Sequence, residues 1–309
     1  MSAPTTVQEL SPTVLRRRCA EGLGLKVGPF VVRLHSRAAL LAENLLRYYP
    51  HVPLAREQAF ADAVITLKPP PLWRWPGRRG WTLALEDGQP FTEFPARALL
   101  AHLEWTINWC IASRAQQYLM LHAAVLERDG LALVLPGEPG AGKSTLCAWL
   151  MLHGWRLLSD EFGLLRPQAL RFDSLPRPIP LKNDSIGVIA NSCPTARFGP
   201  AIDGTRKGRV AHLLPPAVHL QRMAETARPR WVVFPHYGAD CAPAAHALHP
   251  AECFAALTQH AFNYALLGAT GFETVAALTG AVDAWRLRYA SLPDAARCID
   301  ELCGLRAAA

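Results

Sequence analysis

The residue types best suited to phosphate chemistry lie together in one segment, Gly137-Glu138-Pro139-Gly140-Ala141-Gly142-Lys143-Ser144. This segment, called the P-loop here, fits the pattern G-x-x-x-x-G-K-[ST], in which glycines allow backbone N–H groups to wrap a phosphate. Lys143 would bring positive charge to the β- and γ-phosphates, and Ser144 would ligate Mg²⁺. The helix that follows, which includes Thr145, would present its N-terminus to the anion. The motif therefore predicts a nucleotide-phosphate site over residues 137–145.

A pair of adjacent acids, Asp160 and Glu161, begins seventeen positions after Lys143. This spacing has room for one helix and one strand, and the apolar run 155–158 is that strand. Ligands of open α/β sheets gather at the carboxyl ends of strands. Beside a P-loop, such acids can hold Mg²⁺ and accept a proton from an attacking hydroxyl group. The alternative is that the two acids only begin a turn.

The elements that must position these residues are predicted from residue patterns on both sides of the P-loop. Strands are expected at 118–127, 131–135, 155–158, 163–165 and 230–234. Helices are expected at 143–153, 251–267, 272–285 and 293–302, and a long irregular region at 176–216.

The first 115 residues carry no chemical motif and predict a separate α+β unit. Its strands are expected at 25–34, 63–67 and 81–85, with a hairpin turn at Asp87-Gly88 and a short strand near Phe91. Its helices are expected at 36–49, with Ser36 as N-cap, and at 96–114. A docking or dimerising module and a plain structural domain both remain open for this unit.

The composition excludes several classes of protein. Half of the 309 residues are hydrophobic, but no apolar run approaches the ~20 residues that a membrane helix needs. No secretory signal pattern begins the chain, and the eight cysteines include no Cys-x-x-Cys pair, which favours reduced thiols in the cytoplasm. The net charge of +7 suits an anionic ligand. No basic and aromatic strip indicates nucleic acid, and residues 73–79 are predicted to form a loop.

Three segments together resemble the HPr kinase/phosphorylase family, and more closely its HPr-kinase-related branch (HprK-related kinase A type). They are Leu121-His122-Ala123-Ala124-Val125, the P-loop and Leu157-Leu158-Ser159-Asp160-Glu161. The resemblance covers roughly residues 117–300, and the segments 178–183 and 204–213 are also similar to that branch. It implies an α/β fold: a P-loop kinase domain of the HPr kinase/phosphoenolpyruvate carboxykinase type over 116–309, preceded by a smaller α+β N-terminal domain over 1–115.

The resemblance also implies roles for individual residues. Asp160 corresponds to the general base toward a substrate serine, and Glu161 stands where the family usually has a second Asp, at the metal. His122 corresponds to the histidine that interacts with this acidic pair. The Glu-x-Arg-Gly segment tied to the family's reverse, phosphorolytic activity has no equivalent in this sequence.

Three further residues are candidates by position. Lys182 and Lys207 lie in polar segments bounded by Gly or Pro, and such loops can close over a phosphate. Lys207 is flanked by two arginines, which favours an anion clamp over residues 204–213 and a place among the catalytic residues. His236 follows a predicted strand and could approach the site.

These features predict an ATP- and Mg²⁺-dependent kinase that phosphorylates a hydroxyl group, expected to be a serine of a protein or peptide. A small-molecule kinase, or an ATP-binding regulatory or scaffold protein without phosphoryl transfer, is the alternative. A carboxykinase-like enzyme and a nucleic-acid ATPase fit the motifs less well. Neither nucleic acid nor membrane insertion is expected, and the acceptor, the nucleotide base and homo-oligomerisation stay open.

Overall fold

The computed structural model describes residues 5–70, 80–86, 88–138, 140–205 and 208–305. Pro139 and Lys207, two of the predicted site residues, lie outside the described residues, as do Asp87 and the whole of the predicted loop at 73–79. The chain forms two compact units. The first comprises Met1–Arg114 and Arg197–Arg222, and the second comprises Ala115–Ala196 and Met223–Ala309.

Helices and strands alternate along the chain, so the described residues form a mixed α/β fold. The α-helices are α1 (Pro12–Glu21), α2 (Ala39–Tyr48), α3 (Leu99–Arg114), α4 (Lys143–Leu152), α5 (Asp184–Ser192), α6 (Ala217–Gln221), α7 (Pro250–Gln259), α8 (Tyr264–Leu267), α9 (Ala269–Ala281) and α10 (Leu292–Leu302). The strands are β1 (Leu23–Val27), β2 (Phe30–His35), β3 (Ala63–Lys68), β4 (Thr82–Ala84), β5 (Leu119–Arg128), β6 (Leu131–Pro136), β7 (Arg156–Ser159), β8 (Phe162–Arg166), β9 (Arg171–Asp173), β10 (Ile179–Lys182), β11 (Ile202–Thr205), β12 (Gly208–Leu213), β13 (Arg228–Tyr237), β14 (Ala244–Ala247) and β15 (Asp283–Tyr289).

The first unit contains a sheet with the strand order β1-β2-β3-β4. Its first two strands form an antiparallel hairpin instead of the single predicted strand, because Gly28 adopts φ +61° and turns the chain between them. Strand β3 and helices α2 and α3 confirm the predictions at 63–67, 36–49 and 96–114 to within a few residues. Ser36 is not the N-cap of α2, because Ala38 holds that position; the Ser36 hydroxyl accepts from Ala38 N and donates to the Leu67 oxygen.

The second unit is built on a sheet with the order β14-β15-β13-β6-β5-β8-β9, and β7 also pairs with β5. Strands β6, β13 and β15 run parallel to one another, so their carboxyl ends lie at one edge of the sheet. The P-loop follows β6 directly. Strand β5 is antiparallel to β6, β7 and β8. Strand β7 therefore runs in the same direction as β6, and the segment that connects β7 to β8 lies at the same edge as the P-loop.

Apolar packing holds this sheet in place. Side chains of β5, β6 and β13 form a fully buried cluster with α7 and α9 that includes Val125, Val134, Val232, Leu257 and Leu278. Helix α4 contacts β5, β6 and β7, and α10 contacts both α4 and β15. Because helices cover both faces of the sheet, β5 and β6 are almost continuously apolar in sequence. No helix of the described residues has the length and apolarity needed to cross a bilayer.

Three predictions about the C-terminal half were wrong. The helix expected at 272–285 ends at Ala281, and residues 283–289 form β15, in whose second half buried Leu287 and Tyr289 alternate with exposed Arg286 and Arg288. The region 176–216 is not irregular, since it contains β10, α5, β11 and β12. The helix expected at 251–267 is interrupted, because α7 ends at Gln259 before the short α8 begins.

Candidate active site

The P-loop connects the end of β6 to the first residue of α4, Lys143. Gly142 has φ +87°, and a Cβ built on it would lie 2.4 Å from the Tyr289 hydroxyl oxygen and 3.0 Å from the Tyr237 Cβ. The loop is fixed by backbone contacts as well, since Tyr237 N donates to the oxygen of Ala141 at 3.2 Å. Only glycine therefore fits at position 142, for conformational and steric reasons together.

Replacing Gly142 by alanine is expected to abolish nucleotide binding and to lower the unfolding free energy by more than the ~1–3 kcal/mol of backbone strain alone. The added cost comes from the collision with Tyr289. Gly130→Ala is the matched control, because Gly130 also has positive φ, +78°, but a Cβ there would meet nothing within 4 Å. Denaturant titration and nucleotide titration of both variants test this. Equal destabilisation, or normal nucleotide binding by the Gly142 variant, would contradict the steric argument.

Lys143 lies in the first turn of α4 with a side chain that is only 7% exposed. Its Nζ lies 3.5 Å from the backbone oxygen of Gly137. Burial lowers the pKa of Lys143, and the nearby carboxylates of Asp160 and Glu161 oppose that shift. A buried ammonium group favours a further anion beside it, and a phosphate group would supply one.

Asp160 follows β7 and is 6% exposed. Ser144 Oγ donates a hydrogen bond to its Oδ2 at 3.0 Å, while Oδ1 is buried and has no hydrogen-bond partner among the described residues. Burial, together with the neighbouring Glu161 carboxylate, raises the pKa of Asp160 to about 6, although Lys143, Ser144 and Lys182 oppose the rise. An unsatisfied carboxylate oxygen with this pKa can take up a proton or contact a cation near neutral pH.

Glu161 and His122 are brought together by the pairing of β5 with both β7 and β8, which flank the acidic pair. His122 Nε2 lies 3.8 Å from Glu161 Oε1. Burial lowers the pKa of His122, as does Lys143, and Glu161 opposes them. The predicted His122, Asp160 and Glu161 therefore lie on the same side of the P-loop.

The structure places the remaining predicted residues in several different elements. Lys182 ends β10 rather than lying in a loop, and its charge reaches both Asp160 and Lys143. Thr145 is half-buried in the first turn of α4, and Glu138 is exposed. His236 is exposed on β13, with Arg288 as its register partner on β15. The described residues around Lys207 form the antiparallel strands β11 and β12 instead of an open loop.

Five residues at the site were not found from the sequence. Cys147 lies one turn beyond Ser144, and burial together with the Asp160 carboxylate raises its pKa well above the usual value. Its i, i+3 spacing from Ser144 on a helix was a usable signal. The other four come from distant segments and gave no local signal: Tyr237, His260, Phe262 and Tyr289.

His260 and Phe262 line the side of His122. The backbone oxygen of His260 accepts a hydrogen bond from His122 N, and burial lowers the pKa of the His260 ring while Glu138 opposes the shift. The half-exposed ring of Phe262 lies 5.3 Å from the His122 ring and 5.2 Å from that of Phe162. The wall beside the acidic pair is therefore aromatic and only partly covered.

The donor set fits a magnesium ion shared with a phosphate rather than a metal held by protein alone. Among the described residues, no group of three or more His, Cys, Asp or Glu side chains is placed to hold a metal ion. Magnesium commonly takes one or two protein oxygens and completes its shell with phosphate oxygens and water. The partnerless Asp160 Oδ1, the Ser144 hydroxyl and the Glu161 carboxylate could supply such oxygens.

Comparison with known proteins gives a partial match. No protein-family profile matches the chain. A protein named HPr kinase/phosphorylase from Stenotrophomonas maltophilia (strain K279a) is 33% identical over 90 residues, which is 28% of this chain and 27% of that protein. One of the same name from Streptococcus equinus is 23% identical over 143 residues, 45% of this chain and 40% of that protein. The chain thus matches about a quarter to two fifths of the length of these relatives, and the similarity supports an HPr-kinase-like relationship for part of it.

Proposed function

We propose that this protein is an ATP-dependent kinase that transfers the γ-phosphoryl group of Mg-ATP to a hydroxyl group, that of a serine in a protein or peptide. The observation that carries the proposal is the hydrogen bond from Ser144 to Asp160, which places a buried acid directly against the P-loop. The names of the partially similar proteins support the same class of reaction.

The proposal also covers the fold type of the second unit and the cellular compartment of the protein. The second unit would be a P-loop kinase domain of the HPr kinase/phosphoenolpyruvate carboxykinase type, of the HPr-kinase-related branch. Its strand–P-loop–helix–strand–acid order, from β6 to Glu161, is the support for that type. Eight free cysteines fit a reducing cytoplasm.

In the proposed reaction the acceptor hydroxyl oxygen forms a bond to the γ-phosphorus while the bond from that phosphorus to the β–γ bridging oxygen breaks. The hydroxyl proton passes to the Asp160 carboxylate, and ADP leaves with the bridging oxygen. Lys143 neutralises charge on the phosphates, and the P-loop N–H groups orient them. A magnesium ion, held by Ser144 and Glu161, would neutralise phosphate charge when bound.

His122 would act by orienting Glu161. It lies 3.8 Å from that carboxylate, and its lowered pKa keeps the imidazole neutral at pH 7. A neutral ring can hold the carboxylate in one direction without adding positive charge beside Lys143. Its role is that of a positioning residue.

Phosphoryl transfer itself tests the proposal. Labelled γ-phosphate from ATP should appear on protein in a lysate supplied with the wild-type chain, and Lys143→Ala should remove it. The label should survive acid and be released by alkali, as a serine ester is. Label only on small molecules would favour the small-molecule kinase. Nucleotide binding with no transfer to any acceptor would favour the regulatory ATP-binding protein instead.

A further inference from the structure

An aromatic side chain is exposed at the edge of the P-loop. Tyr237 is the last residue of β13 and is 50% exposed, although Trp231, Val232 and Val233 of the same strand are buried. Its backbone N–H donates to the oxygen of Ala141, and its Cβ lies close to Gly142. The exposed ring therefore lies directly beside the loop that would bind the phosphates, where the rest of a bound nucleotide could contact it.

The ring of Tyr237 is held in a fixed place by Tyr289. The two residues are register partners on parallel strands β13 and β15, and their rings meet edge to face with centroids 5.8 Å apart. Tyr289 is fully buried, and its hydroxyl donates to the oxygen of Gly142 at 3.4 Å. Because burial raises the pKa of Tyr289, that hydroxyl remains a donor. Tyr289 thus supports the loop, and Tyr237 remains half-exposed beside it.

The strand order puts Tyr237 on the opposite side of the P-loop from the acids. Strand β6, which leads into the loop, has β5 on one side and β13 on the other, and β7 with Asp160 lies beyond β5. Adjacent strands are about 4.8 Å apart, so the three spacings from β7 to β13 separate the two ends of the site by about 14 Å along the sheet edge. If the γ-phosphate of a nucleotide lies at Asp160, the base end extends toward β13.

Among the described residues, two further aromatic side chains of this unit, Phe262 and Trp149, do not compete for this role. Phe262 contacts the ring of His122, which lies beside Glu161. It is therefore on the side of the reacting phosphate, where the acceptor must approach. Trp149 is already stacked on His153, with ring centroids 4.2 Å apart.

We propose that Tyr237 is the platform on which the nucleotide base stacks, with a purine covering more of the ring than a pyrimidine. The inference rests on the proposed function, since it assigns the base end of the nucleotide whose phosphates the P-loop would bind. Tyr237 contributes to binding and takes no part in the chemistry. Every base has a π-face, so the platform selects for base size rather than for a hydrogen-bond pattern.

Calorimetric titration with two ligands separates the contribution of the base to binding from that of the phosphates. The ligands are Mg-ATP and magnesium tripolyphosphate, which has no base. Wild type should bind both, and ATP more tightly. Tyr237→Ala should weaken ATP binding about tenfold, the scale of losing one stacked base, and leave tripolyphosphate binding unchanged. Tyr237→Phe should behave as wild type. Tyr237→Leu, which keeps apolar bulk against Tyr289, should resemble Tyr237→Ala.

Phe272→Ala is the matched control, because Phe272 is a similarly exposed aromatic, 56%, that packs on Phe254 rather than on the P-loop. It should bind both ligands as wild type does. Unchanged ATP affinity in Tyr237→Ala would overturn the inference and leave the P-loop assignment standing. Equal weakening of ATP and tripolyphosphate would also overturn it, since the ring would then support the loop. Failure of the wild type to bind either ligand would overturn the proposed function as well.

Discussion

Asp160→Asn is expected to bind Mg-ATP and to transfer the phosphoryl group at least ~100-fold more slowly, the usual scale for losing a general base. Asparagine has nearly the same shape, and its amide oxygen can still accept the hydrogen bond from Ser144. What it lacks is a site for the proton of the acceptor hydroxyl group. Single-turnover transfer with ATP above saturation measures this step, and nucleotide titration measures binding separately.

The matched control for this variant is Asp173→Asn. Asp173 is a buried acid of the same unit, but it interacts with Tyr118 and Arg166 instead of with the P-loop. Its replacement should lower stability and leave the transfer rate per folded molecule unchanged. Near-normal transfer by Asp160→Asn would remove Asp160 from the catalytic role. Loss of ATP binding by that variant would make it chiefly a metal ligand.

The local part of the site could be predicted because its residues are close in sequence. The glycines, Lys143 and Ser144 belong to one turn, and Asp160 follows after a single helix and a single strand. Hydrophobic runs fixed the strands on either side, since β5 and β6 are buried on both faces and leave little choice of structure.

The aromatic part of the site could not be predicted, because it depends on strands that pair over long sequence distances. Tyr237 and Tyr289 meet only when β13 and β15 align in parallel register, and the first three residues of β15 were assigned to the end of a helix predicted over 272–285. Its apolar residues Ala284, Trp285 and Leu287 suit either structure over so short a run. Pairing with β13 decides in favour of the strand, which is a tertiary effect.

His122 and Glu161 illustrate an intermediate case. The two residues are far apart in sequence, and only the family resemblance linked them. The structure places their side chains within 4 Å through the antiparallel pairing of β5 and β8, where His122 is opposite Phe162. A histidine on a buried strand is by itself no indication of a site, so pairing information was necessary. The roles of both residues in the reaction stay predictions.

A second large effect is expected from Lys143, measured as the loss of ligand-induced stability. Mg-ATP at a hundred times its dissociation constant should raise the unfolding free energy of the wild-type protein by about 3 kcal/mol. For a unit of this size that corresponds to a rise in melting temperature of roughly 5–10 °C. Lys143→Ala should abolish the rise, because it removes the buried ammonium group that the P-loop would bring to the phosphates.

The variant should nevertheless fold normally without nucleotide. The pKa of Lys143 is lowered by burial, so the protein surroundings do not favour the charged form, and its removal should leave the melting temperature of the free protein nearly unchanged. Lys26→Ala, at an exposed position on β1, is the control and should keep the full response to Mg-ATP. A wild-type melting curve that Mg-ATP does not move, or a Lys143 variant that responds like wild type, would remove the P-loop lysine from phosphate binding. A buried lysine kept at the cost of desolvation is best explained by an anion that it must neutralise.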